Sequence, residues 1–381
     1  MKKTIIFAFL MVSILSACGQ ANLPASDAPS GVLAEEIDLN VEILASENTT
    51  PVSSLDEAGS EKISIVCTIF PQYDWVRQIL GEQADGFDLV LLGNRIDFHN
   101  YQPTVDDIVT ISTCDIFIHI GGESDYWVDG VLANILNPNM IILNLLTSLD
   151  ADEYGEAIEA LGFHNRNDYH DHQDDDDEHH DHHDHHHDGD DDDDEQNDDN
   201  HAHEADEHVW LSLANAAFFT QLITEAVISL DSANRETYEA NASSFMNQLL
   251  TLHDQYQEAI NHSTGLTLVC ADRFPFYYLA ADYGINYHAA FPGCSAETEA
   301  SFETVIFLAG KIDQYALHHV IVTESSDQSI AKTIINNTAE KDQKIYVLDS
   351  MQSVSATDAL QTSYFRIMED NLDVLKEILP H

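Results

Sequence analysis

The sequence predicts an α/β protein: two Rossmann-like lobes, each with a parallel sheet, joined by a long rigid helix. Three observations carry this. Short β-branched runs alternate with helical periodicity over residues 61–230 and again over 263–381, the pattern of parallel βαβ units. Between the two alternations, residues 231–262 run without Pro or Gly for about thirty residues, ~40 Å of helix at 1.5 Å per residue. A small domain does not need a helix of that length. Finally, 381 residues with 44% hydrophobic content are enough to give each lobe its own core.

Taken in order, the first lobe opens with the β-rich run "KISIVCTIF" and the helical "YDWVRQILG", whose glycine closes the helix. The strand "FDLVLL", a polar loop and the helix "TVDDIVTIS" follow, then the strand "DIFIHIGG" and, after another helix, the strand "MIILNL". A His/Asp-rich insertion at about 164–206 interrupts this lobe; with almost nothing to bury, it reads as disordered. "SLANAAFFTQLITEAVISL" has an amphipathic helical pattern, and Ser232 opens the long linking helix. In the second lobe "LTLVC", "INYHAAF", "HHVIVTE" and "KIYVLD" are strands, with helical patterns between them and a last helix from about Ala356.

The N-terminus reads as an address. Lys2 and Lys3 precede an apolar run at residues 5–15 that is too short to span a bilayer and fits a signal peptide over 1–17. It ends in "LSAC", which resembles a lipoprotein cleavage site with Cys18 as the lipidated first residue. Residues 18–60, rich in Ala, Ser, Pro and acids, read as a flexible tether to the membrane. This places the protein on the extracellular face of a bacterial cell membrane. No second apolar stretch reads as long enough to cross a membrane. Four cysteines remain: Cys67, Cys114, Cys270 and Cys294. An even number in an exported chain suggests disulfides, and proximity along the chain favours Cys67–Cys114 and Cys270–Cys294.

Asp and Glu total 68 against 14 Lys and Arg, a formal net charge of −54. Nucleic acid is excluded as a partner, because phosphate binding needs a basic surface. Small cations are favoured. No GxSxG, HExxH, P-loop or strand-borne GxGxxG is present, so no catalytic machinery is expected. In open parallel sheets, ligands gather beyond the carboxyl ends of strands. His99 and His208 stand near such places in the first lobe, and Asp272, Arg273, Glu324 and Asp349 in the second. Two imidazoles and a carboxylate converging from separate strand ends suit a divalent transition metal. Taken singly, a histidine near a helix start is more often a surface or capping residue, and an aspartate after a strand a turn residue.

These residues resemble the zinc/manganese solute-binding lipoproteins of ABC transporters, over roughly residues 63–379. "HNYQPTVDD" looks like the family's first metal-ligand segment and points to His99, with Tyr101 holding its loop; "EHVWLS" looks like the second and points to His208. "VLDSM" resembles the segment of the last ligand and points to Asp349. The resemblance implies the metal-type periplasmic-binding fold, with the site in the cleft between lobes. The third position departs from the family: where His or Glu is usual, this chain has Arg273, which cannot ligate a metal. Asp272, Glu324, His288, a histidine of the insertion or water is then expected to complete the sphere; alternatively Arg273 pairs with a carboxylate and orients it.

The resemblance implies capture of Zn2+ by a monomer and its delivery to a membrane permease driven by an ATPase. Mn2+ and a surface zinc buffer or sensor uncoupled from transport are the alternatives. The insertion, with His179, His180, His182, His183, His185, His186 and His187 among its acids, is typical of the zinc branch and reads as an accessory metal-collecting arm.

Overall fold

The computed structural model describes residues 62–93, 99, 101–150, 154–163, 206–263, 265–293 and 300–380. The expected signal peptide, Cys18, the tether, the metal-collecting arm and Cys294 lie outside them.

The chain opens with β1 (Ile63–Cys67), α1 (Phe70–Leu80), β2 (Phe87–Leu91), α2 (Val105–Thr113), β3 (Ile116–His119), α3 (Val128–Leu132) and β4 (Ile141–Asn144). Then come α4 (Leu145–Ser148), α5 (Tyr154–Ala160), α6 (Leu213–Leu230) and α7 (Arg235–Asn261). The second half runs β5 (Thr267–Phe274), α8 (Tyr277–Tyr283), β6 (Asn286–Pro292), α9 (Phe302–Tyr315), β7 (His319–Thr323), α10 (Ser329–Asn337), β8 (Lys344–Leu348) and α11 (Tyr364–Ile378). Local chemistry sets the starts: Thr104 and Asp107 form a reciprocal capping box on α2, and Ser212, Ser301 and Ser363 cap α6, α9 and α11 through their hydroxyls.

Two four-stranded parallel sheets result, ordered β2-β1-β3-β4 and β6-β5-β7-β8. The second repeats the first element for element. In each, the chain leaves its first strand towards one edge and returns past it, so the switch point lies between β1 and β3 and between β5 and β7. The two-lobed α/β architecture read from the sequence is the one observed.

The long helix is α7, whose 27 residues span ~40 Å and start after a 3₁₀ turn at Ser232–Asn234. It packs on α1 and α6 of the first lobe and on α8 and α11 of the second. Tyr256 in its second half donates to the Met368 carbonyl, 2.6 Å. Other bonds join the lobes directly. The Tyr364 amide at the start of α11 donates to Asp74 Oδ2 on α1 (2.9 Å), Arg77 Nη1 donates to the Ala359 carbonyl (2.6 Å), and the Tyr364 hydroxyl to the Trp210 carbonyl (2.7 Å). One apolar cluster runs through both lobes, from Ile65, Trp75 and Phe219 to Leu348, Tyr364 and Leu375; smaller clusters cover the far face of each sheet.

Three expectations are corrected. Cys67, Cys114 and Cys270 are buried free thiols. Cys67 belongs to the cluster shared by the lobes, whereas Cys114 packs with the cluster on the opposite face of the first sheet, so nearness in sequence does not bring their sulfurs together. Cys270 instead offers its thiol to the Arg273 carbonyl, 3.5 Å. Burial pushes all three thiols up. Second, α6 is buried on nearly all sides rather than along one stripe. Contrary to the expectation that no second apolar stretch is long enough to span a membrane, α6 is so by length and composition, but most of it is buried inside the protein. Third, the last helix starts at Tyr364 and not near Ala356, because the intervening chain makes a separate 3₁₀ turn at Asp358–Leu360.

Candidate metal centre

His99 follows β2 and precedes α2; His208 leads into a 3₁₀ turn, Val209–Leu211, ahead of α6. Though 109 residues apart in the chain, their rings meet at a centroid distance of 5.2 Å, with the two Nε2 atoms 3.2 Å apart. The other ring nitrogens are engaged. His208 Nδ1 lies 2.8 Å from Asp206 Oδ1, a carboxylate that also accepts the His208 amide at 2.9 Å. His99 Nδ1 lies 2.7 Å from Ser124 Oγ, whose own hydroxyl donates to Glu207 Oε2.

These partners fix the tautomers. A carboxylate can only accept, so His208 donates from Nδ1. The Ser124 proton is committed to Glu207, so Ser124 Oγ accepts from His99 Nδ1. With these tautomers the two Nε2 lone pairs face one another across 3.2 Å, the way two imidazoles sharing one metal ion are arranged. Two imidazoles on one tetrahedral zinc, at 2.0–2.1 Å each, would hold their nitrogens about 3.3 Å apart. The observed spacing fits.

The supporting groups are built in. Glu207 is buried and accepts from the Ser124 amide (2.8 Å) as well as its hydroxyl. Burial pushes the Glu207 carboxyl up, while the Ser124 donors pull it down. Gly122 allows this approach: at φ 78° and ψ −164°, it sits where a Cβ would stand 2.2 Å from Glu207 Oε1. Gly293 does the same at the end of β6, where a Cβ would lie 3.3 Å from His208 Cε1 and 2.9 Å from Asp206 Oδ2. Tyr278 of α8 donates to the Asp206 carbonyl at 3.0 Å, so the second lobe also steadies this segment.

The second-lobe candidates are placed as follows. Asp349 directly follows β8, and its Oδ1 accepts from the Met351 amide, 2.8 Å. Burial and the neighbouring Glu324 push its carboxyl up to about 6. Glu324, after β7, accepts from the Ser350 amide at 2.9 Å and from its hydroxyl at 3.0 Å. Asp272 lies at an irregularity in the β5–β6 pairing; its carboxylate accepts from the Arg273 amide (3.2 Å) and the Thr323 hydroxyl (3.1 Å). Trp210 ties the two halves together, its ring 5.2 Å from that of His208 and its Nε1 donating to the Ser350 carbonyl at 2.9 Å.

His288 is not brought to the histidine pair. From β6 it pairs with Val269 of β5, short of the strand's carboxyl end, stacks on Tyr315 of α9 and meets Phe307 of the same helix edge-on. Tyr101 packs edge-on against Trp127 and lies over Gly93, which anchors the chain leaving His99. Among the described residues, no three His, Cys, Asp or Glu side chains stand together as a ready metal cage. Of the residues read from the sequence, His99 and His208 are the two that meet ring to ring. Asp206, Glu207 and Ser124 were not singled out in the sequence: the first two continue the acidic tract, and Ser124 lies in a "GGES" turn with no signature of its own.

A family model described as "Zinc-uptake complex component A periplasmic" matches residues 65–378. The high-affinity zinc uptake system protein ZnuA of Bacillus subtilis is 26% identical over 341 residues, covering 88% of this chain and 93% of that protein. The zinc-binding protein AdcA of Streptococcus pyogenes is 25% identical over 332 residues, or 84% of this chain; the match spans only 58% of AdcA's length. Among solved structures, the Zn(II)-bound ZnuA-like domain of Streptococcus pneumoniae AdcA aligns with a TM-score of 0.60 at 22% identity, covering 84% of this chain and all of that one. The periplasmic zinc-binding protein TroA of Treponema pallidum aligns at 0.61 and 15% identity, again over 84% of this chain. With repeated 2-1-3-4 sheets, a bridging helix and a histidine pair at the sheet ends, the chain belongs to the ZnuA family of zinc-uptake components.

Proposed function

We propose that the protein captures Zn2+ outside the cell in the cleft between its lobes and delivers it to an ABC permease powered by an ATPase. The facing Nε2 atoms of His99 and His208, each ring fixed from behind by an acceptor, carry this reading. Asp349 is the first choice among second-lobe ligands, because Trp210 links its neighbour Ser350 to the His208 ring. Glu324 and Asp272 are the further candidates. Imidazole nitrogens favour zinc over manganese, which prefers oxygen donors. Binding and release break no covalent bond, so the role is transport and not catalysis. Lipidation at Cys18 would hold the protein at the membrane beside the permease.

The 165–204 segment then acts as a collector: clustered imidazoles and carboxylates hold zinc weakly and exchange it near His208. A chain lacking 165–204 is expected to keep one tight zinc in calorimetry and to lose only the weak sites. Disappearance of the tight site would place the cargo in the arm instead. Glu207→Gln tests the support behind His99. Exchanging the carboxylate for an amide weakens the hold on Ser124 and thereby on the imidazole, and zinc affinity is expected to fall about 10- to 100-fold, the usual effect of losing an outer partner of a metal histidine. Competition titration against a chelator reads this directly, and an unchanged affinity would remove Glu207 from the site.

A further inference from the structure

The repeated sheet order makes α2 and α9 equivalent elements: each leaves the edge strand of its sheet and leads to the strand beyond the centre. Their first turns match. Thr104 and Ser301 cap them, each hydroxyl accepting the amide three residues on. The first helical residue is apolar and exposed in both, Val105 at 77% and Phe302 at 75%. One turn later the pattern recurs with Val109 at 54% and Ile306 at 43%. Single exposed apolar residues are ordinary on any surface. The same exposed i, i+4 pair at equivalent positions of two lobes calls for a shared cause. Both tips also start from the carboxyl ends of their parallel sheets, the ends from which His99 and Gly293 follow.

We propose that Val105 with Val109 and Phe302 with Ile306 are twin apolar studs that seat in two like sockets of one membrane partner built from two similar halves. This deepens the transport reading and rests on it. Two other occupants are disfavoured by charge. Asp106 and Asp107 surround the first stud and Glu303 the second, and the chain carries a formal net charge of −54. A second copy would be repelled by that charge, and so would an anionic lipid surface. An acidic rim round an apolar tip fits a socket with an apolar floor and a basic rim.

The test uses full-length Val105→Asp, Phe302→Asp and the double variant. An acid in the first turn suits a helix N-terminus, so these changes leave the helices intact. Zinc affinity of all three is expected to equal wild type. With the permease–ATPase complex in proteoliposomes, the concentration of zinc-loaded protein giving half-maximal stimulation of ATP hydrolysis should rise about tenfold for each single variant, the effect of losing one buried apolar side chain. The double variant should rise about a hundredfold. Unchanged stimulation, or an effect from one lobe alone, overturns the twin-socket proposal. A wild-type dimer that the variants convert to monomer in light scattering would assign the studs to a second copy. Loss of binding to protein-free vesicles would assign them to lipid. Either result overturns it. A wild type that binds zinc but never stimulates the complex sinks the transport reading and this proposal together.

Discussion

His208→Ala is expected to lower zinc affinity by at least roughly a hundredfold. Zinc held by four protein ligands binds with about 10–16 kcal/mol, so one ligand carries on the order of 3 kcal/mol. His208 combines full burial with a tautomer set by Asp206, so no exposed group can swing in to replace it. His99→Ala should behave alike. His318→Ala, on a side chain 77% exposed and paired only loosely with Asp342, should be silent and serves as the control. The measurement is competition against a chelator strong enough to strip the weak sites of the arm, with circular dichroism to confirm folding. Two variants that bind the tight zinc as wild type does would end the assignment of this pair.

Gly122→Ala is expected to damage the same site from behind, without touching a ligand. At φ 78° and ψ −164° the residue occupies a region open in practice only to glycine, and an L side chain there costs about 1–3 kcal/mol. The added Cβ would also stand 2.8 Å from Glu207 Cγ, so the carboxylate must move and the Ser124–His99 arrangement with it. A lower melting temperature together with a zinc affinity reduced about 10- to 100-fold is the expected outcome. Gly86→Ala, where a Cβ would meet nothing within 4 Å, is the matched control. Stability lost with zinc binding intact would mean that Glu207 adjusts and that the buried carboxylate is dispensable.

Much of this was legible in the sequence because it rests on period and punctuation. Alternating β-branched and helical runs dictated both sheets, and the absence of Pro and Gly after Ser232 exposed α7. His99 and His208 stood out because each lies beside a strand end or a helix start within a distinctive motif. The failures have physical causes too. Parity and compartment suggested disulfides, but they carry no information on which sheet face a cysteine occupies, and Cys67 and Cys114 pack on opposite ones. His288 was a candidate by residue type, yet its register in β6 turns it to the aromatic residues of α9. Asp206 and Glu207 were hidden in plain sight: at the end of a long acidic run, two carboxylates that hold the imidazoles look like two more solvated charges. Only the hydrogen bonds of both, and the burial of Glu207, separate them from the tract.

The apolar cluster that threads both sheets has a consequence for how such a molecule can be taken apart. Trp75 and Phe219 contribute to the same cluster as Leu348 and Tyr364, and the start of α11 is capped by Asp74 from the other end of the chain. Neither half is a module. A lobe excised at α7 would uncover a face of aromatic and aliphatic side chains and leave a helix end without its acceptor. Grafting a different second lobe to alter metal preference would therefore fail on packing before it was tested on chemistry. Changes of selectivity in this architecture have to be made residue by residue at the strand ends, where the side chains face the cleft and not the shared interior.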